Sequence, residues 1–359
     1  MSVVRTRIVL YIFMTGQFSV LQSILHSIQR FKSTMYSFNR SSLFVSAIVS
    51  IAAITGAASD AQAQVKADGS STVYPLTERA ASDFQKSSGK RVTVAVSGTG
   101  GGFKKFCNGE TDISNASRPI LEKELKTCRE KGVKFIEIPI AMDALTVVVH
   151  KDNPINSITT GELKAIWNDG SSLKNWKEVN SSFQDAPLKL FGPGADSGTF
   201  DYFTEAINGK AKQSRRDFTA SEDDNVLVQG VSRDKNALGY FGFAYYQKNS
   251  NRLKALSVNG VRPDLQNVKS GSYKPLSRPL FIYVNAEKMK NNPDVKAFVE
   301  SYISNAEGIA NKVGYLPLTS KVYDFAKSQI SDAKTGTRFN GKEAIGLKIE
   351  TLATMALAD

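Results

Sequence analysis

The sequence predicts an α/β protein built as two lobes facing a cleft, on three observations. Short β-branched or aromatic runs of strand length alternate with amphipathic helix patterns. Three stretches rich in Gly, Ser and Thr each run into such a helix, at 69–75 (GSSTVYP), 97–103 (SGTGGGF) and 192–200 (GPGADSGTF). The third lies beyond two further strand patterns, so stretches that converge on one ligand must come from separate lobes, outside the carboxyl ends of their strands. A chain of 359 residues is long enough for two cores.

Residues 1–63 read as a leader. An apolar run at 42–58 (SLFVSAIVSIAAITGAA) follows Arg40, and Ala61-Gln62-Ala63 has the small-x-small form of a signal-peptidase site, so export with a mature start near Gln64 is expected. A second apolar run from Ile8 to Met14 makes the leader about twice the usual length, which a true start at Met35 would explain. Neither run reaches the ~20 apolar residues of a comfortable membrane span. Without the leader, five basic residues and one acid are lost and the formal net charge falls from +12 to +8. That balance suits an anionic ligand. No Lys/Arg block with interleaved aromatics occurs, so nucleic acid is not expected as a partner.

The elements follow in order. Strand patterns lie at 91–96 (RVTVAV), 135–140 (FIEIPI), 145–150 (LTVVVH), 188–191 (LKLF) and 279–284 (PLFIYV), and largely parallel pairing is expected of their alternation with helices. Leu76, Ala80 and Phe84 at spacing four mark a helix that Gly89 stops, and Leu121, Leu125 and Cys128 mark one ending at Gly132. Leu163, Ile166 and Trp167 mark another with Thr160 as its cap, followed by helices over 200–207 and 295–303. Cys107 and Cys128 are the only cysteines, and in an exported chain they read as one disulfide worth about 3 kcal/mol. No leader cysteine offers a lipid anchor, and a soluble binding protein would then need an outer barrier, which points to the periplasm.

The three stretches suit an oxyanion, because glycine admits the ligand to the backbone, hydroxyls donate, and helix N-termini leave N–H groups free. The second has neither the Gly-Lys-Ser/Thr of a P-loop nor a GxGxxG fingerprint. The third does not match G-x-S-x-G, and Asp196 and Ser197 could simply cap the helix after them. The two histidines, His26 and His150, carry no triad motif, and no metal spacing occurs. Arg118, in 112–120 (DISNASRPI), offers a fork of donors matched to an oxyanion.

GSSTVYPLT, SGTGGGFKKFC, DISNASRPI, FGPGADSGTFDYFTEAI, SEDDNVLVQGV and ALGYFGFAYY resemble, in order and through essentially the whole mature chain, the PstS-type periplasmic phosphate-binding proteins of phosphate ABC transporters, especially their SphX-like branch. The resemblance implies a two-lobed, type II periplasmic-binding-protein fold with a ligand cleft between lobes, hinged by two crossing segments. It implies lobe 1 over 64–144 plus 280–359 and lobe 2 over 145–279. The implied protein is a monomer without cofactor or catalytic activity, delivering inorganic phosphate to a membrane permease. Carried over by position, the ligand residues are Ser71, Thr72 and Val73, then Thr99, Gly100 and Gly101, then Ser197, Gly198 and Thr199. Ser117 stands where the better-known pattern has an aspartate that accepts the proton of monohydrogen phosphate. Pro193 falls near the place of its arginine, so Arg118 is expected to replace that arginine. Asp196 is the expected carboxylate, with Asp143 and Asp224 behind it. The rival readings are a receptor for sulfate, molybdate or another tetrahedral oxyanion, and an exported phosphomonoesterase using Ser71 or Ser197.

Overall fold

The computed structural model describes residues 65–358; the leader, its cleavage near Gln64 and the alternative start at Met35 lie outside the described residues. The first half runs β1 (Val65–Gly69), α1 (Tyr74–Ser88), β2 (Val92–Val94), α2 (Gly98–Cys107), β3 (Ile113–Ala116), α3 (Glu122–Glu130), β4 (Phe135–Ala144), β5 (Thr146–His150), β6 (Ser157–Ile158), α4 (Thr160–Trp167) and α5 (Trp176–Val179). The second half runs β7 (Lys189–Pro193), α6 (Gly198–Asn208), β8 (Thr219–Ser221), α7 (Asp224–Arg233), β9 (Ala237–Phe241), α8 (Phe243–Lys248), β10 (Leu253–Ala255), β11 (Ser257–Val258), α9 (Leu265–Lys269) and β12 (Ser277–Asn285). Then come α10 (Ala286–Asn291), α11 (Pro293–Ser304), α12 (Ala306–Val313), α13 (Ser320–Ser331) and a 3-10 turn at Ile349–Ala353.

Two five-stranded sheets, in the orders β2-β1-β3-β12-β4 and β10-β5-β9-β7-β8, make the two lobes, with β6 and β11 as a separate small pair. The sheets are mixed rather than largely parallel: β12 is antiparallel to β3 and β4, and β5 to β9 and β10. The reason is the crossing. β4 runs toward the second lobe and ends at Ala144; β12 starts from the same place, with Ser277 opposite Ala144, so it must run back. The crossing strands are held together where Leu145 N–H donates to the Leu276 carbonyl at 2.9 Å and the Tyr273 hydroxyl to the Leu145 carbonyl at 2.8 Å.

Local signals set most helix ends. Gly89 closes α1 at φ 72°, a left-handed conformation that needs glycine. At α4 the cap is Thr159, one residue before the expected Thr160, because Thr159 accepts from Glu162 N–H while Glu162 reaches back in a capping box. β4 and β12 are buried along their whole length, which explains their nearly unbroken apolar runs. Cys107 at the end of α2 and Cys128 in α3 form the expected disulfide. Among the described residues no helix is long and apolar enough to cross a membrane.

Candidate anion site between the lobes

All three Gly/Ser/Thr stretches follow the carboxyl ends of strands, after β1, β2 and β7, and meet where the two sheets face each other. The glycines of the 97–103 stretch do not stand ahead of the helix but form the first turn of α2, from Gly98 onward. Gly98 has φ +75°, and an added Cβ would stand 2.5 Å from the Asp196 carbonyl of the other lobe. Across the same seam a Cβ on Gly198 would stand 2.4 Å from Thr99 Oγ1. Here glycine permits lobe-to-lobe contact.

At the centre, the Thr72 and Thr199 hydroxyls, one from each lobe, lie 3.2 Å apart. Thr99 and Ser117 form a second hydroxyl pair at 3.3 Å, and Ser117 N–H also donates to Thr99 Oγ1. Ser71 Oγ donates to Asp224 Oδ1 at 3.0 Å. Ser197 caps α6 by accepting from Thr199 N–H and keeps its own hydrogen to donate. Val73 is buried and precedes α1. These groups are withdrawn from water, so each hydroxyl is an ordered donor rather than a mobile one.

The cation among them is Arg278, at the start of β12, not Arg118. Arg278 Nη2 donates to Thr199 Oγ1 at 3.0 Å and to Thr72 Oγ1 at 3.3 Å, and both Nη2 and Nε donate to Asp143 Oδ2. Its Nη1 is buried and has no hydrogen-bond partner among the described residues. Asp143 is held in turn by Phe243 N–H at 2.9 Å. Burial pushes the Asp224 carboxyl up to about 7, against the pull of Ser71 and Arg278.

Several expected residues stand elsewhere. Arg118 is buried as an anion ligand should be, but its guanidinium is already taken by Glu124, Asp201 and the Pro119 carbonyl, so it has no free face for an anion. The Asp196 side chain is exposed, and only its backbone joins the seam, accepting from Gly100 N–H at 2.8 Å. Gly100 therefore spends its amide on the other lobe, and Gly101 is half-buried beside Ser97. His150 ends β5 and accepts from Asp152 N–H, and among the described residues no hydrogen bond joins a histidine to Ser71 or Ser197. The sequence reading missed Arg278 and ranked Asp143 and Asp224 behind Asp196. The available signal was a charge inside an otherwise apolar, strand-length run, as in SRPLFIYV and IAMDALTVVV.

Comparison with known proteins gives this geometry a family. The profile of the PBP superfamily domain matches residues 55–306. Protein SphX of Synechococcus elongatus is 54% identical over 303 residues, covering 82% of this chain and 89% of SphX. The phosphate-binding protein PstS of Staphylococcus saprophyticus is 38% identical over 281 residues, 76% of this chain and 85% of PstS. Among solved structures, a putative phosphate ABC transporter substrate-binding protein from Clostridium perfringens with bound phosphate superposes with a TM-score of 0.63 at 27% identity, covering 71% of this chain and 99% of that one. With two mixed α/β lobes, strand-end hydroxyls at their seam and these relatives, the chain belongs to the PBP superfamily and, within it, to the PstS/SphX-type phosphate-binding proteins.

Proposed function

We propose that this protein captures inorganic phosphate between its lobes for an ABC importer. The observation that carries the reading is the Arg278 guanidinium, which touches hydroxyls from both lobes and keeps Nη1 unpartnered in a buried position. A buried donor without a partner is costly, and a phosphate oxygen would satisfy it. Asp143 balances the cation and fixes its plane. The hydroxyls of Thr72, Thr99, Ser117, Ser197 and Thr199 would ring the remaining oxygens, with Ser71 holding Asp224 beside them, and the α6 N-terminus would add the amide of Gly198.

Selectivity we assign to Asp224. Monohydrogen phosphate carries a proton to donate and sulfate does not, so an ionised buried carboxylate accepts from the first and repels the second. Asp224 replaces the aspartate that Ser117 lacks, from the opposite lobe.

The crossing at 144–146 and 276–277 would be the hinge, with 64–144 and the C-terminal part swinging against 145–279. Relatives named as binding proteins, and Ser71 and Ser197 hydrogen-bonded to no histidine among the described residues, support binding without catalysis. The leader supports periplasmic location, where a monomer would deliver phosphate to a membrane permease.

Calorimetric titration with phosphate, sulfate and molybdate tests the reading. Phosphate should bind far more tightly than the other two; sulfate binding as tightly as phosphate would overturn it.

A further inference from the structure

Outside the anion cluster, a group of buried charges surrounds Arg118. Its Nη1 and Nη2 meet Glu124 Oε2 and Oε1 at 2.8 and 2.7 Å, its Nη1 also meets the Pro119 carbonyl at 2.9 Å, and its Nε meets Asp201 Oδ2 at 2.8 Å. Arg118 is 1% exposed and Asp201 is wholly buried. Two of these partners belong to Arg118's own lobe. Glu124 is tied to the first turn of α3, where it also accepts from Leu121 N–H at 2.9 Å, so the fork is held extended whatever the other lobe does.

Asp201 belongs to the other lobe. It sits in the first turn of α6, two residues after Thr199 and three after Gly198, on the helix whose N-terminus faces the anion cluster. Its second oxygen lies 3.6 Å from Lys212 Nζ. We infer that the Arg118–Asp201 pair is a latch across the cleft, forming when the lobes close and positioning the α6 N-terminus over the anion, so that both residues set phosphate affinity without touching phosphate. The inference rests on the reading of the seam as a phosphate site.

Arg118 is already desolvated and oriented by Glu124 and Pro119, so closure adds a short, charge-assisted bond with little further ordering of the cation. Glu343, at 3.7 Å from Arg118 Nε, does not compete strongly. Burial beside Asp201 and Glu124 pushes its carboxyl up to about 8, so it is mostly protonated at neutral pH. Two cations, Arg118 and Lys212, then face two carboxylates, Glu124 and Asp201.

The test is Asp201→Asn in the full chain. This isosteric change removes the charge and leaves the Arg118–Glu124 fork intact. Inorganic phosphate is titrated by calorimetry, its release timed by stopped flow, and thermal unfolding followed without ligand. The latch predicts affinity weakened about tenfold, seen mainly as faster release, with the ligand-free unfolding midpoint unchanged. Affinity within twofold of wild type would overturn it, as would a loss matched by an equal loss of ligand-free stability. Asp201→Glu, which keeps the charge, should recover part of the affinity; no recovery would count against the latch. If wild-type protein binds no phosphate, the phosphate reading fails separately. Titration with sulfate and molybdate then decides the latch, since Asp201→Asn must weaken whichever oxyanion the wild-type cleft takes by about tenfold, and equal affinities, or no oxyanion bound at all, would overturn it.

Discussion

Two buried arginines, Arg278 and Arg118, stand at the same seam and do different things. Arg278 has one carboxylate, Asp143, two hydroxyls from opposite lobes and one nitrogen without a partner. Arg118 has two carboxylates and a carbonyl, which occupy all of its nitrogens. Burial alone therefore does not mark an anion ligand. What matters is how much of the guanidinium's hydrogen-bonding and charge the protein has already met: Arg278 is left incomplete, and Arg118 is complete once the lobes meet.

The largest expected effect is at Arg278. Arg278→Ala should weaken phosphate binding by about 3 kcal/mol or more, because it removes the donor fork and leaves Asp143 buried without its counter-charge. Arg278→Lys, lacking the planar fork, should recover only part. Calorimetry that finds near-wild-type affinity for Arg278→Ala would break the contrast between the two arginines.

Next comes Asp224. Asp224→Asn replaces an acceptor with a group that also donates, so phosphate should weaken by about 1.4 kcal/mol or more while sulfate strengthens. Parallel titrations with the two anions measure the ratio, and a ratio equal to that of wild type would remove Asp224 from the selectivity argument.

A smaller effect concerns pH. With its carboxyl raised to about 7, Asp224 is ionised above that value and protonated below it. Ionised, it repels a fully deprotonated oxyanion; protonated, it can donate to one. Sulfate affinity should therefore rise as pH falls through about 7, and this rise should be absent in Asp224→Asn. The sign for stability runs the same way. Because the folded carboxyl is raised above its unfolded value, its favourable contribution is full at low pH and is lost as pH rises through about 7. Sulfate titrations and ligand-free melts across that window read both.

The smallest effect is at Asp196. Its carboxylate is exposed and only its backbone takes part in the seam, so Asp196→Asn should leave phosphate affinity within about twofold. A larger loss would mean that the side chain turns inward when phosphate binds, and would reopen its place as the acceptor.

Legibility in the sequence follows the range of each interaction. Gly, Ser and Thr at strand ends, Gly89 as a helix stop, and the Cys107–Cys128 pair were readable because each depends on residue type and near neighbours. What the glycines at 98–102 do was not readable, because their function is close approach: Gly98 and Gly198 admit the facing lobe, and nothing nearby in sequence reports that. Arg278 and Asp143 are separated by more than a hundred residues in the chain and meet only because β12 returns beside β4 at the crossing. Antiparallel pairing escaped notice for the same reason, since it is set by where the chain re-enters the sheet.

By itself the sequence determined the two α/β lobes, the Gly/Ser/Thr stretches at strand ends and the family, because periodicity, local turn chemistry and long motifs are carried by consecutive residues. Tertiary structure alone decided which arginine is free, which carboxylates are buried, and that Asp201 reaches across to Arg118. Charge availability depends on every partner within a few ångströms in a low-dielectric interior, and those partners come from strands and helices far apart in the chain.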